Sequence, residues 1–142
     1  MKKFILAIFV CLMLTSCKKD ENVIKDGEVM QENIKVIINN QEYEMDLEKN
    51  ATTKELIKMF PKIFNMAELN GNEKYVYLDK VFPTNEYKPK MINKGDVMLY
   101  QDNCLVIFYK DFETSYRYTK IGHIKDLDDL DNSNISVTFT IK

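Results

Sequence analysis

Few side chains in this chain are of a type that could take part in catalysis or bind a ligand. The 142 residues include a single histidine, His123, and a single arginine, Arg117. Arg117 lies between Tyr116 and Tyr118 in a predicted strand, so its guanidinium should point outward, where it could bind a carbonyl or a carboxylate. His123 falls on the same predicted face, and the two could share a patch. The alternative is that both are ordinary solvated or structural strand residues.

Carboxylates are the second group of candidates. Glu68 and Glu73 could serve as a general acid and a general base, but no partner motif supports this role. They are better explained as polar loop residues around a turn at Gly71. The chain contains no nucleophile elbow, nucleotide-binding loop, dinucleotide fingerprint or zinc-ligand spacing. A single histidine does not make a metal site, so we expect neither a metal nor another cofactor.

Four aspartates are clustered late in the chain. A calcium loop that started at Asp129 would have Asn134 where the sharp-turn glycine belongs, so the calcium interpretation fails. We expect a short helix that begins at Asp126, whose carboxylate caps it, with Leu127 and Leu130 facing inward. The aspartates as a group are then explained by capping and by favourable negative charge near the helix N-terminus.

The N-terminus predicts where the protein is located. Lys2 and Lys3 precede an apolar run of about ten residues, the length of a signal-peptide core and half of what crosses a bilayer. Leu14-Thr15-Ser16-Cys17 then places small residues before a cysteine that can carry lipid. We therefore expect residues 1–16 to be a lipoprotein signal peptide and Cys17 to be acylated. The protein would be lipid-anchored to a membrane of the bacterial cell envelope. The alternatives are a signal peptide without lipidation and an ordinary core helix.

Amino-acid composition limits the domain organisation and the partners of the rest of the chain. Residues 17–32 are polar and charged and are predicted to be the lipidated cysteine and a flexible tether, which leaves residues 33–142 for one domain. The net charge of −2 becomes more negative when the two signal-peptide lysines are lost. Without a basic cluster, nucleic acid is not an expected partner. Cys104 would be the one remaining unmodified cysteine, and its apolar surroundings predict a buried strand residue rather than a reactive thiol.

The hydrophobic pattern predicts a mainly β domain. Ile34–Ile38 and the alternating residues after it indicate a hairpin that turns at Asn39-Asn40. Thr52 and Glu55 form a capping box for a short helix that Pro61 ends. Further strands are predicted at 63–68, 75–78, 97–100, 105–109, 116–124 and 135–141. Many short strands with two short helices favour a closed barrel, whose ligand site would lie on its outer face or rim.

Several motifs, in this order and spacing, resemble the bacterial cyclophilin-like family. They are Glu68-Leu69-Asn70-Gly71-Asn72-Glu73-Lys74-Tyr75, Pro83-Thr84-Asn85, Gly95-Asp96-Val97-Met98-Leu99-Tyr100, and Phe112-Glu113-Thr114-Ser115-Tyr116 through Ile121-Gly122. The resemblance covers about residues 34–142 and implies a closed eight-stranded cyclophilin-like β-barrel with a helix near each end. It implies much less about activity, because a fold does not determine a function.

True cyclophilins isomerise prolyl peptide bonds in an apolar pocket on the outer face, beside an arginine from an early strand. The corresponding segment here, near Phe64-Asn65-Met66-Ala67-Glu68, contains no arginine, and the characteristic Phe-His-Arg run is absent. The sequence therefore favours a noncatalytic module that binds an extended peptide or a small ligand. A divergent peptidyl-prolyl cis-trans isomerase is the alternative.

We expect the ligand site on one rim formed by residues 70–74, 83–85 and 114–117, where polar side chains lie beside aromatic ones. The candidate ligand-binding residues are Asn70, Glu73, Lys74, Thr84, Asn85, Ser115, Tyr116 and Arg117. The alternative is that the polar side chains of these loops only satisfy their own backbone.

Overall fold

A computed structural model of the protein describes residues 32–142. The predicted signal peptide, the acylation of Cys17 and nearly all of the predicted tether lie outside the described residues. Within residues 32–142, no helix is long and apolar enough to cross a membrane.

The strands are β1 Ile34–Ile38, β2 Gln41–Leu47, β3 Lys62–Leu69, β4 Glu73–Tyr77, β5 Met91–Ile92, β6 Asp96–Tyr100, β7 Cys104–Phe108, β8 Phe112–Glu113, β9 Tyr118–Ile124 and β10 Ile135–Ile141. Eight of them are antiparallel and close into a barrel in the order β1-β10-β3-β4-β7-β6-β9-β2, and β5 and β8 form a separate two-stranded ribbon. The predicted mainly β fold with a closed eight-stranded barrel is confirmed. The ribbon was not predicted.

The first hairpin and the first helix follow from local sequence. Asn39 and Asn40 take φ values of 50° and 65°, as a tight hairpin turn requires. The helix α1 spans Ala51–Leu56 and continues as a 3₁₀ turn over Ile57–Met59. Its cap is Asn50, whose side chain accepts a hydrogen bond from the Thr53 N–H at 2.8 Å. The predicted capping box is therefore wrong, because the helix begins one residue before Thr52, whose hydroxyl donates to the Pro83 carbonyl instead.

The second predicted helix is absent from the described part of the chain. Residues 125–126 form a turn, and residues 127–134 contain no helix or strand. Asp126 adopts a φ of 50°, which is incompatible with the start of a right-handed helix. The carbonyls of Asp131 and Ser133 instead accept hydrogen bonds from Lys74. This segment, residues 127–134, is called the cap because it lies at one end of the barrel.

The barrel has two distinct ends. Cross-strand pairs Leu69↔Glu73 and Ile38↔Gln41 place the turns at 39–40 and 70–72 at the end that also carries the cap, here named the turn end. The opposite end, here named the helix end, holds α1, which connects β2 to β3. The described N-terminus also lies at the helix end, where the Asn33 carbonyl accepts a hydrogen bond from the Lys142 N–H at 2.9 Å.

Two apolar clusters stabilise the fold. The larger cluster fills the barrel, and Val36, Val97, Leu105, Ile107 and Val137 within it are fully buried. A second cluster lies on the outer wall and consists of Ile92, Met98, Cys104, Val106, Phe108 and Tyr118. Ile92 of the ribbon covers this part of the wall, so the outer face of β6 and β7 is itself a small core. Cys104 is buried there as predicted.

Candidate functional site

One predicted ligand residue, Lys74, lies inside the barrel rather than on its rim. The β3–β4 turn is tight, since Leu69 pairs directly with Glu73, and Lys74 therefore belongs to a strand and points inward. Its side chain is 0% exposed. Its ammonium contacts Glu68 Oε2 at 2.6 Å and the carbonyls of Asp131 at 2.5 Å and Ser133 at 2.6 Å. These three acceptors use all three donors of the ammonium, so Lys74 has none left for an outer ligand.

Glu68 completes this internal network. Its carboxylate accepts hydrogen bonds from the Tyr109 hydroxyl at 2.9 Å and from the Gly71 N–H at 2.6 Å. Burial works to raise the pKa of Glu68, but the hydrogen bonds from Lys74, Tyr109 and Gly71 outweigh it and lower that pKa below its usual value. Burial and the Glu68 carboxylate together raise the pKa of Tyr109 to about 12.

Five tyrosines share one region of the outer wall, here named the tyrosine face: Tyr75, Tyr77, Tyr100, Tyr116 and Tyr118. The strand register brings them together. Tyr77 and Tyr100 both pair with Cys104, and Tyr100 pairs in turn with Tyr118. Directly opposed residues of neighbouring strands point to the same side of a sheet, so these side chains form one row across β4, β7, β6 and β9.

The tyrosine rings contact one another at the surface. Ring centroids lie 5.9 Å apart for Tyr75 and Tyr77, 6.0 Å for Tyr100 and Tyr116, and 5.7 Å for Tyr100 and Tyr118. Tyr77 is 62% exposed and Tyr116 is 60% exposed, whereas Tyr118 is buried. Tyr118 is thus the buried part of this surface, and a ligand could contact the exposed rings of Tyr77 and Tyr116.

Glu73 stands on the same wall. It is directly opposite Phe108 and two residues before Tyr75, so it points outward, away from Glu68. An acid–base pair of Glu68 and Glu73, which the sequence already disfavoured, is not formed, because the two side chains are on opposite sides of the barrel wall. Both residues belong to strands rather than to the loop in which they were expected. Burial, followed by repulsion from the Glu68 carboxylate, raises the pKa of Glu73 above its usual value.

An open groove of about 510 Å³ runs beside the ribbon that covers this wall. Lys90, Met91, Glu113, Thr114 and Ser115 line it. Ser115 is the predicted ligand residue that borders this groove, and it immediately precedes Tyr116 of the tyrosine face. The groove and the tyrosine face therefore meet at residues 115–116.

Arg117 does not share a patch with His123. The strand β9 begins at Tyr118, so Arg117 precedes it, and its side chain donates a hydrogen bond to the Glu86 carbonyl at 3.0 Å. His123 lies near the other end of β9, where its Nδ1 is 3.0 Å from Asp96 Oδ1. Tyr118 pairs with Tyr100 and His123 pairs with Asp96, and these pairs are at opposite ends of the β6–β9 pairing. Arg117 and His123 are therefore separated by the length of the two strands.

The three predicted rim segments are not brought together. Asn70, with a φ of 56°, forms the β3–β4 turn at the turn end. Thr84 is exposed, and the Asn85 N–H donates to Thr119 Oγ1 at 3.0 Å near the start of β9. Segments 83–85 and 114–117 therefore approach each other through Glu86 and Arg117, while Asn70 lies at the far end. Which of these segments become neighbours depends on the strand register of the closed barrel, and local sequence does not reveal that register.

Sequence reasoning missed Tyr75 and Tyr77 as surface residues. The available signal was the alternation of Glu73, Tyr75 and Tyr77 with Lys74 and Val76, which marks an exposed side once β4 is known to begin at Glu73. In the part of the chain that the structure describes, no group of three or more His, Cys, Asp or Glu side chains is arranged to hold a metal ion.

Comparisons with known proteins define the class. The cyclophilin-like family model matches residues 36–142, and the chain belongs to this family. The solution structure of the hypothetical protein AF2241 from Archaeoglobus fulgidus is similar, with a TM-score of 0.52 and 15% sequence identity over 83% of this chain and 100% of that chain. This similarity extends to the fold alone. The comparison with curated proteins gave no match.

Proposed function

We propose that this protein is a lipid-anchored cyclophilin-like module of the bacterial cell envelope that binds an extended peptide without catalysing a reaction. The observation that carries the binding role is the tyrosine face, where Tyr77 and Tyr116 expose 62% and 60% of their surface beside rings that are packed. The anchoring role rests on the sequence around Cys17, with acyl chains as the membrane contact.

Tyrosine suits a binding surface for a physical reason. Its ring offers a large apolar area, its hydroxyl can hydrogen-bond to a peptide backbone, and it loses little side-chain entropy on binding because it has only two χ angles. The rings here also support one another, since Tyr100 contacts both Tyr116 and Tyr118. The surface is therefore partly ordered before a ligand arrives, which lowers the entropic cost of association.

The outer wall does not support prolyl isomerisation. Outward-facing positions of β3 carry Ile63, Asn65 and Ala67, and none supplies a guanidinium that could stabilise a twisted amide. Arg117 is the single arginine of the chain, and its Nε lies 3.8 Å from Glu86 Oε2. Glu86 thus supplies both a carbonyl and a carboxylate to Arg117, which disfavours a role for this guanidinium in catalysis.

The test is a titration of the purified protein with two blocked peptides, acetyl-Ala-Gln-Pro-Ala-amide and acetyl-Ala-Lys-Pro-Ala-amide, followed by amide chemical shifts. We expect shift changes on the tyrosine face, and about tenfold weaker binding for Tyr77→Ser and Tyr116→Ser, as for aromatic hot spots. Ile141→Ser is the matched control, because Ile141 is 40% exposed at the end of β10, which is separated from β4 by β3. If neither peptide perturbs the tyrosine face, the proposal is wrong.

Exchange spectroscopy on the same samples measures the cis–trans interconversion of each peptide. A noncatalytic module leaves the time constant of this interconversion at its uncatalysed value, on the order of tens to hundreds of seconds. Acceleration that Arg117→Ala abolishes would instead identify a divergent isomerase.

A further inference from the structure

We propose that Glu73 makes the tyrosine face selective for peptides that carry a lysine or arginine side chain. This inference rests on the proposed function and specifies its ligand. The observation behind it is a carboxylate that stands on an aromatic wall and has no hydrogen-bond or ion-pair partner among residues 32–142.

The position of Glu73 follows from the register of β4. Glu73 opposes Phe108 of β7, and alternation places it on the side of the sheet that carries Tyr75. Phe108 in turn contacts Phe112 and Tyr118, each with ring centroids 5.5 Å apart. The carboxylate is therefore bordered by aromatic rings, and it is only partly exposed.

The contrast with Glu68 shows that Glu73 is not part of the structural network. Glu68 is on the inner side of the wall and is fully engaged by Lys74, Tyr109 and Gly71. Glu73 belongs to the next strand and makes none of these contacts. A carboxylate that is partly removed from water without a partner is costly to the fold, so an external cation that paired with it would recover free energy.

The Glu73 carboxylate interacts electrostatically with two residues of the outer-wall cluster. Burial raises the pKa of the Cys104 thiol to about 11, and the Glu73 carboxylate adds to that increase. The pKa of Tyr118 is likewise raised to about 12 by burial, with Glu73 contributing. Both groups belong to the outer-wall cluster, on which the tyrosine face is built.

An aromatic surface beside a carboxylate matches the chemistry of a cationic side chain. A lysine ammonium or an arginine guanidinium can pair with the carboxylate and lie over a tyrosine ring, whose face is electron-rich. The aliphatic stem of either side chain packs against the same rings. An acidic peptide would meet like charge, which gives discrimination by repulsion as well as by attraction.

The experiment compares three blocked peptides that differ at one position: acetyl-Ala-Lys-Pro-Ala-amide, acetyl-Ala-Gln-Pro-Ala-amide and acetyl-Ala-Glu-Pro-Ala-amide. We expect calorimetry on the purified protein to rank their affinities as lysine, then glutamine, then glutamate. Glu73→Gln should weaken the lysine peptide about tenfold, as expected for loss of a charged hydrogen-bond partner, and leave the glutamine peptide within about twofold. The advantage of the lysine peptide should also shrink with added salt.

Glu42→Gln is the control, since Glu42 is an exposed carboxylate on β2, outside the tyrosine face. It removes the same charge and should leave all three affinities unchanged. Equal affinity of the lysine and glutamine peptides would overturn the role of Glu73 and leave the binding module intact. Failure of all three peptides to bind the tyrosine face would overturn the proposed function itself.

Discussion

Lys74 Nζ lies 2.6 Å from Glu68 Oε2 inside the barrel wall, and this ion pair holds the turn end of the molecule together. The same ammonium binds the carbonyls of Asp131 and Ser133, which belong to the cap. One side chain thus satisfies acceptors from β3 and from a segment that has no secondary structure of its own. The cap depends on this lysine because residues 127–134 form no helical hydrogen bonds.

Replacing Lys74 with methionine should therefore destabilise the protein strongly. Lys74→Met leaves the Glu68 carboxylate without its cation, and Glu68 is only 15% exposed. We expect the free energy of unfolding to fall by about 3 kcal/mol in urea denaturation, the usual result when one partner of a buried pair is removed.

Lys35→Met is the matched control, because Lys35 forms an exposed ion pair with Glu42 at 3.1 Å. It should cost less than about 1 kcal/mol. Amide hydrogen exchange at residues 131–134 should accelerate in Lys74→Met and remain unchanged in Lys35→Met. Similar costs for both variants would contradict the assignment of the cap to Lys74.

Acid should weaken the same network. The pKa of Glu68 is lowered from 4.5 in the folded protein, because its hydrogen bonds outweigh the effect of burial. A lowered carboxyl pKa contributes stability that is present above the unfolded value and is lost as pH falls through the folded value. We expect the unfolding free energies of the native protein and of Glu68→Gln to differ most at neutral pH and to converge below pH 4. A difference that stays constant down to pH 3 would argue against this linkage.

The fold was predictable because its signals are local. The turn at Asn39-Asn40, the alternation along β2 and the glycine turns each indicate a strand or a turn directly. The buried role of Lys74 was not predictable, because its partners Asp131 and Ser133 are remote in sequence and meet it only once the barrel closes. The tyrosine face has the same origin, since Tyr77 and Tyr118 become neighbours only through the register of four strands.

Gly95 should tolerate no side chain. Its φ is 97°, and a Cβ there would lie 2.4 Å from the Ile124 carbonyl oxygen and 2.9 Å from His123 Cε1. Gly95→Ala should therefore lower the free energy of unfolding by about 3 kcal/mol, through both strain and the clash. Gly71→Ala is the comparison, since its Cβ would meet nothing closer than Asn132 Oδ1 at 3.7 Å. Its cost should be about 1 kcal/mol, from the left-handed backbone alone. Equal melting temperatures for the two variants would contradict the close approach at Gly95.

The lipid anchor is tested by Cys17→Ala, with Cys11→Ala as the control from the predicted signal peptide. Acylation contributes about 0.8 kcal/mol per buried CH₂, so loss of the acceptor should move the protein out of the membrane fraction. Cys11→Ala should leave the distribution unchanged. A Cys17→Ala protein that remains with the membranes through a detergent-free carbonate wash would contradict the lipoprotein prediction.

The gathering of tyrosines on one wall also has an optical consequence. The chain contains eight tyrosines and no tryptophan, so its intrinsic fluorescence comes from tyrosine. Three of the eight lie elsewhere, namely Tyr43, Tyr87 and Tyr109. The other five form the tyrosine face, where a nonaromatic peptide that covered Tyr77 or Tyr116 would change the surroundings of the emitting rings. The protein thus carries an unlabelled reporter at the surface where binding is proposed.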